Sequence, residues 1–112
     1  MKRKKTLSAV EQTVRFIESI PRDGYIEAPD ASMLIAAGEL LAAANGHARR
    51  DEFPPEAAMI ARKIRPDARL RKRAAEAITR VLNASELRDL WEGGDGFADW
   101  SSDVTGLIAR LE

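Results

Sequence analysis

Few side chains in this sequence could carry out chemistry, and they are far apart. There is one histidine, His47, and no cysteine, so no zinc site of histidine and cysteine ligands and no thiol nucleophile can form. A serine–histidine–aspartate triad would depend on His47, which follows a helix-ending Gly46 and fits a surface loop. Asp99 and Asp103 lie one helical turn apart beside Arg110, which a solvated helix face explains. We therefore expect no catalytic residue and no bound metal.

The glycine cluster at Gly93, Gly94 and Gly96 does not match the pattern of a ligand-binding loop. It follows a short predicted helix instead of a strand, and no Gly-Lys-Ser/Thr sequence accompanies it, so a phosphate-binding loop is excluded. Aligning Gly96 with the glycine of a calcium-binding loop places Trp91 and Ser102 at positions that require carboxylates. We expect no cofactor.

Charge is segregated along a chain that is neutral overall. The sequence holds 18 basic and 18 acidic residues. Basic residues dominate 2–5 and 62–82, and acidic residues dominate 6–61 and 83–112. A basic patch that could contact an anion or an acidic partner comprises Arg62, Lys63, Arg65, Arg69, Arg73 and Arg80. The competing interpretation is a solvated helix face with i,i+4 pairs along Lys72, Glu76 and Arg80.

The same region could be taken for a DNA-binding helix-turn-helix. A recognition helix needs base-reading side chains near its start, where this chain has only Ala68, Arg69, Leu70 and Arg71. The rest of the chain is acidic and would repel DNA. Weak nucleic-acid binding through residues 62–80 is therefore the alternative hypothesis and not the leading one.

Helical periodicity and capping residues divide the chain into helices. The predicted helices cover about residues 8–20, 31–45, 55–64, 68–82, 86–92 and 97 to the C-terminus. Ser8 and Glu11 form a capping-box pattern, and Asp30, Asp67 and Ser85 are predicted N-caps. Residues 1–6 are predicted to be a disordered basic tail.

Small residues and few aromatics favour closely packed helices. The second helix is rich in alanine, so we predict that it is central. In the fourth helix, one apolar stripe is predicted from Leu70, Ala74, Ala77, Ile78 and Val81. The predicted fold is one all-α domain over residues 1–112, a small irregular or orthogonal bundle of five to six helices.

Two tryptophans flank the glycine turn between the last two helices. Trp91 and Trp100 each have apolar neighbours at helical spacing, so they could anchor a helical hairpin in the core. Tryptophan is also enriched in protein interfaces, so a contact patch is the competing interpretation.

Two segments together resemble a bacterial family. The first is Tyr25-Ile26-Glu27-Ala28-Pro29-Asp30-Ala31-Ser32, which runs into the alanine-rich helix. The second is Ser85-Glu86-Leu87-Arg88-Asp89-Leu90-Trp91-Glu92, followed by Trp100 and a leucine-rich helix. Over about residues 24–112 the chain resembles the domain of unknown function 4259. Members usually begin with a glycine- and tryptophan-rich segment that this chain lacks. The resemblance implies a helical fold and supplies no activity, cofactor or site residue.

A protein-interaction module without catalytic activity is the function we expect. No segment approaches the roughly 20 apolar residues of a membrane span, and the absence of cysteine suits a reducing compartment, so we expect a cytoplasmic protein. The expected partner is a protein, which could be a second copy of the chain. A homodimer would form through oppositely charged surfaces or a shared apolar patch.

Overall fold

The fold is built from helices. A computed structural model describes residues 2–46, 55–62 and 67–112, and within these ranges all regular secondary structure is helical. His47, Lys63 and Arg65 lie outside the described residues, as does the turn of the proposed helix-turn-helix. The described helices are α1 (Lys2–Ser19), α2 (Ala28–Ala44), α3 (Pro55–Arg62), α4 (Ala68–Asn83), α5 (Glu86–Glu92) and α6 (Phe97–Leu111). The prediction of a small all-α bundle is confirmed.

Three helix boundaries follow the local signals in the sequence. The Asp67 side chain accepts a hydrogen bond from the backbone N–H of Leu70 at 2.7 Å, which caps α4. Ser85 caps α5 by accepting from the N–H of Arg88 at 3.0 Å. Gly46, which follows the end of α2, has a φ of 84°, a conformation that favours glycine.

The start of α1 differs from the prediction. The helix begins at Lys2 instead of residue 8, so Ser8 lies inside it and forms no capping box. Residues 2–6, predicted to be a tail, are part of the helix. No glycine or proline occurs among them, and lysine and arginine are good helix formers, so nothing local ends the helix at Ser8.

The start of α2 also differs. It begins at Ala28, and Asp30 lies in its first turn instead of capping it. Pro29 fits this turn because the first helical residues need no backbone N–H donor. The Glu27 side chain makes no capping hydrogen bond. Instead, Glu86 of α5 accepts from the N–H of Ala28 at 2.7 Å, so a distant carboxylate caps α2.

The alanine-rich α2 is central, as predicted. It packs against α1, α3, α4, α5 and α6. Gly38 lies at its closest approach to its neighbours, since a Cβ there would be 2.5 Å from Ile78 Cδ1 and 3.2 Å from a Leu107 methyl carbon. The predicted stripe of α4 is confirmed, because each of its members is buried: Leu70, Ala74, Ala77, Ile78 and Val81.

Candidate protein-binding site

The turn between α5 and α6 brings the two tryptophans together. Their ring centroids are 6.3 Å apart and their planes differ by 12°, which is a stacked arrangement. Trp100 is 8% exposed and belongs to the core, whereas Trp91 is 42% exposed. A Cβ on Gly96 would come within 2.8 Å of the Trp91 ring, so this glycine makes room for the indole. The core interpretation therefore applies to Trp100 and not to Trp91.

Further contacts fix the orientation of this turn. The ring centroids of Phe97 and Trp100 are 6.0 Å apart, and Cζ of the Arg88 guanidinium lies 5.0 Å from the centroid of the Phe97 ring. Arg88 also donates to the Leu82 carbonyl oxygen at 2.8 Å and pairs with Glu92 at 3.4 Å. The base of the turn is thus held by aromatic packing and by one arginine.

Two large apolar side chains at the end of α5, next to this turn, are accessible. Leu90 is 64% exposed and precedes Trp91 in α5. We refer to Leu90 and Trp91 as the corner patch. Beside it, the Tyr25 hydroxyl donates to Asp89 Oδ2 at 2.7 Å. That hydrogen bond, with the negative charge of Asp89, raises the pKa of Tyr25 to about 12.

The basic patch does not form one open surface. Arg73 binds Glu18 of α1 through two hydrogen bonds of 2.7 and 3.0 Å. This contact lowers the pKa of Glu18, since a hydrogen bond from a cation favours the carboxylate. Arg69 is exposed. The Arg62 side chain lies outside the described part of the chain.

Arg80 is bound to the backbone at the end of α1. Its guanidinium donates to the carbonyl oxygens of Ile20 at 2.7 Å and Ile17 at 3.2 Å, and also to those of Pro21 and Gly24. It therefore caps the C-terminal end of α1. The i,i+4 pairs expected along Lys72, Glu76 and Arg80 do not account for the position of Arg80, because its guanidinium points toward α1.

Part of the acidic surface is also paired. Glu92 contacts Arg88. Arg110 of α6, expected beside Asp99 and Asp103, makes two hydrogen bonds of 2.9 and 3.1 Å with Glu39 of α2. These pairs reduce the charge that could meet a basic surface on another copy.

One apolar surface was not anticipated from the sequence. A groove of about 340 Å³ lies between α1 and α2, and its lining includes Phe16 and Met33. Phe16 is 52% exposed and Met33 is 63% exposed. The buried stripe of α1 is Val10, Val14 and Ile17, and Phe16 lies off this stripe. The position of Phe16 off this stripe was the feature of the sequence that could have indicated its exposure.

The residues that the structure describes include neither a candidate metal site nor a candidate membrane span. Among them, no group of three or more histidine, cysteine, aspartate or glutamate side chains is placed to hold a metal ion. None of their helices is long and apolar enough to cross a membrane.

The fold and this site define a small all-α domain with an exposed aromatic corner. The model of the domain of unknown function (DUF4259) matches residues 1–103, and the chain belongs to this family. The match begins at residue 1 and therefore includes α1. The resemblance seen in the sequence covered only about residues 24–112. No curated protein and no solved structure shows significant similarity to this chain.

Proposed function

We propose that this protein is a binding module without catalytic activity, which contacts another protein through the corner patch. We base this proposal on Trp91, because its side chain is 42% exposed and yet stacked on Trp100. Binding through a side chain that is already held in place loses little conformational entropy. Tryptophan is also the residue most typical of interface hot spots.

The surroundings of the corner patch support this proposal. Leu90, which precedes Trp91 in α5, is a second exposed apolar side chain, and neighbouring polar groups have partners within the chain. Tyr25 binds Asp89, and Arg88 binds Glu92. An apolar centre with a polar rim is the usual composition of a protein interface.

Capture from the native host tests the proposal. The wild-type chain and three variants, Leu90→Ser, Trp91→Ala and Met59→Ser, would be immobilised and the bound proteins identified. Met59 is the matched control, since it is 61% exposed but lies on α3. We expect a protein that the wild type and the Met59 variant retain and that both corner variants lose. Equal capture by all four would contradict the proposal.

Unfolding measurements separate loss of binding from loss of folding. Trp100→Ala should lower the free energy of unfolding by about 3–5 kcal/mol, as large aromatic truncations in cores do. Trp91→Ala should cost clearly less, because much of its ring is already in water. Urea titrations of both variants would measure the two losses, and equal losses would show that Trp91 is a structural residue.

The nucleic-acid alternative has less support from the contacts. It requires free cationic groups in residues 62–80, whereas Arg73 and Arg80 bind α1. Gel shifts at two salt concentrations would detect it, because phosphate contacts make affinity fall steeply with salt.

The expected setting is the bacterial cytoplasm, which fractionation of the native host would test.

A further inference from the structure

The groove between α1 and α2 combines large exposed apolar side chains with small and polar ones. Its lining from α1 comprises Ala9, Gln12, Thr13 and Phe16, and that from α2 comprises Asp30 and Met33. Phe16 and Met33 are each more than half exposed, at 52% and 63%. Two such side chains in one concave surface are typical of a groove that receives a helix.

The α1 side of this groove is complementary to itself in the antiparallel direction. Ala9 and Phe16 lie at equal distances from a point midway between Gln12 and Thr13. When two such helices pair about that point, Phe16 of each copy meets Ala9 of the other, and Gln12 meets Thr13. Ala9 and Phe16 are about 10 Å apart along the helix axis, so each large side chain falls opposite a small one.

The charges along α1 favour the same direction. Its first turn holds basic residues and no acidic residue, which is unfavourable at the positive end of a helix dipole. Near its other end Glu18 is bound to Arg73, and the charges of Arg15, Arg22 and Asp23 add no net negative charge there. Antiparallel pairing brings the basic end of one copy near the negative end of the other copy's helix dipole, and it also opposes the two dipoles.

We propose that a second copy of this chain occupies the groove, with the two α1 helices antiparallel about a two-fold axis near Gln12 and Thr13. Phe16 of each copy then enters the groove of the other, where Met33 contacts it. The interface is isologous, so it closes as a dimer. The groove is a different surface from the corner patch, so each of the two proposals can fail alone.

Single cysteines test the register directly, because the natural chain has none. With Gln12→Cys the two thiols lie next to the axis, so mild oxidation should give a disulfide-linked dimer at micromolar concentration. Arg69→Cys is the control, since it places an exposed cysteine on α4. It should stay unlinked under the same conditions. Equal linkage of both variants, or none with Gln12→Cys, would overturn the antiparallel register.

The solution mass tests the interface itself. Sedimentation of the wild type should give the mass of a dimer, and Phe16→Glu should reduce it to that of a monomer. Met59→Glu is the matched control, because it puts the same charge on an exposed apolar residue of α3, outside both the groove and the corner patch. It should leave the dimer intact. A monomeric wild type at micromolar concentration, or a dimer that Phe16→Glu leaves unchanged, would refute the proposal.

Discussion

At the scale of the residue, Arg80 shows how a surface charge in the sequence becomes a structural link. The last carbonyl groups of a helix have no partner within it and need donors from elsewhere. Arg80 of α4 supplies such donors to the end of α1, at the carbonyl oxygens of Ile17 and Ile20. The positive charge also lies at the negative end of the helix dipole, which is favourable.

Replacing Arg80 should therefore destabilise the protein. Arg80→Met keeps most of the alkyl chain but removes every donor, so we expect a loss of about 2 kcal/mol, typical of hydrogen bonds made by charged groups. Arg69→Met, on an exposed residue of the same helix, should change stability by less than about 0.5 kcal/mol. Urea unfolding of the two variants would measure this, and equal effects would show that the cap is unimportant.

At the scale of the element, the close packing of α2 depends on Gly38. Ile78 of α4 and Leu107 of α6 approach the helix at this position, and both are fully buried or nearly so. A glycine inside a helix costs about 1 kcal/mol relative to alanine. Its presence in α2 is explained by the space that the two neighbouring helices need.

Alanine substitutions at two helical glycines should have opposite effects. Gly38→Ala gains helix propensity but forces Ile78 to move, and overpacking costs about 1–3 kcal/mol, so we expect a net loss of about 1 kcal/mol. Gly106→Ala in α6 meets no atom within 4 Å and should stabilise the protein by up to about 1 kcal/mol. Thermal and urea unfolding would measure both.

A second variant identifies the cause of the Gly38 effect. Ile78→Val removes the Cδ1 atom that the new methyl group would meet at 2.5 Å. In the Ile78→Val background, Gly38→Ala should therefore be neutral or stabilising. An unchanged penalty in that background would show that the clash with Ile78 is not the reason.

At the scale of the whole molecule, α1 is joined to α4 by charge as well as by apolar packing. Glu18 and Arg73 make two hydrogen bonds, with distances of 2.7 and 3.0 Å. The hydrogen bond from Arg73 is the main cause that lowers the pKa of Glu18 below its ordinary 4.5. Because the Glu18 side chain is 38% exposed, water screens the pair and its contribution to stability is modest.

The stability of the molecule should therefore depend on pH through Glu18. A carboxyl group whose pKa is lower in the folded state stabilises that state above its unfolded pKa, and the effect disappears as pH falls through the folded pKa. The difference in unfolding free energy between the wild type and Glu18→Gln should be full at neutral pH and vanish in acid below 4.5. Urea unfolding across pH would show this.

Glu76→Gln on the neighbouring α4 is the control for removing one negative charge from the surface, since Glu76 is exposed. A difference between the wild type and Glu18→Gln that stays constant from neutral to acid pH would contradict the link to ionisation.

Local interactions made much of this fold predictable from the sequence. The caps at Asp67 and Ser85 act over three residues, and the buried stripe of α4 follows from helical periodicity alone. The small residues of α2 indicated its central position correctly. Each of these features is decided within one or two helical turns, where chain connectivity already fixes which groups can meet.

Contacts between distant residues decided the rest. Glu86 caps α2, Arg80 caps α1 and Arg73 binds Glu18, and in each case the partners are more than fifty positions apart. Residue type did not reveal these pairs, because an arginine or glutamate suits open water as well as a distant partner. Exposure was equally non-local: Trp91 and Phe16 remain accessible because no described helix covers them, and only the packed arrangement of all the helices determines that.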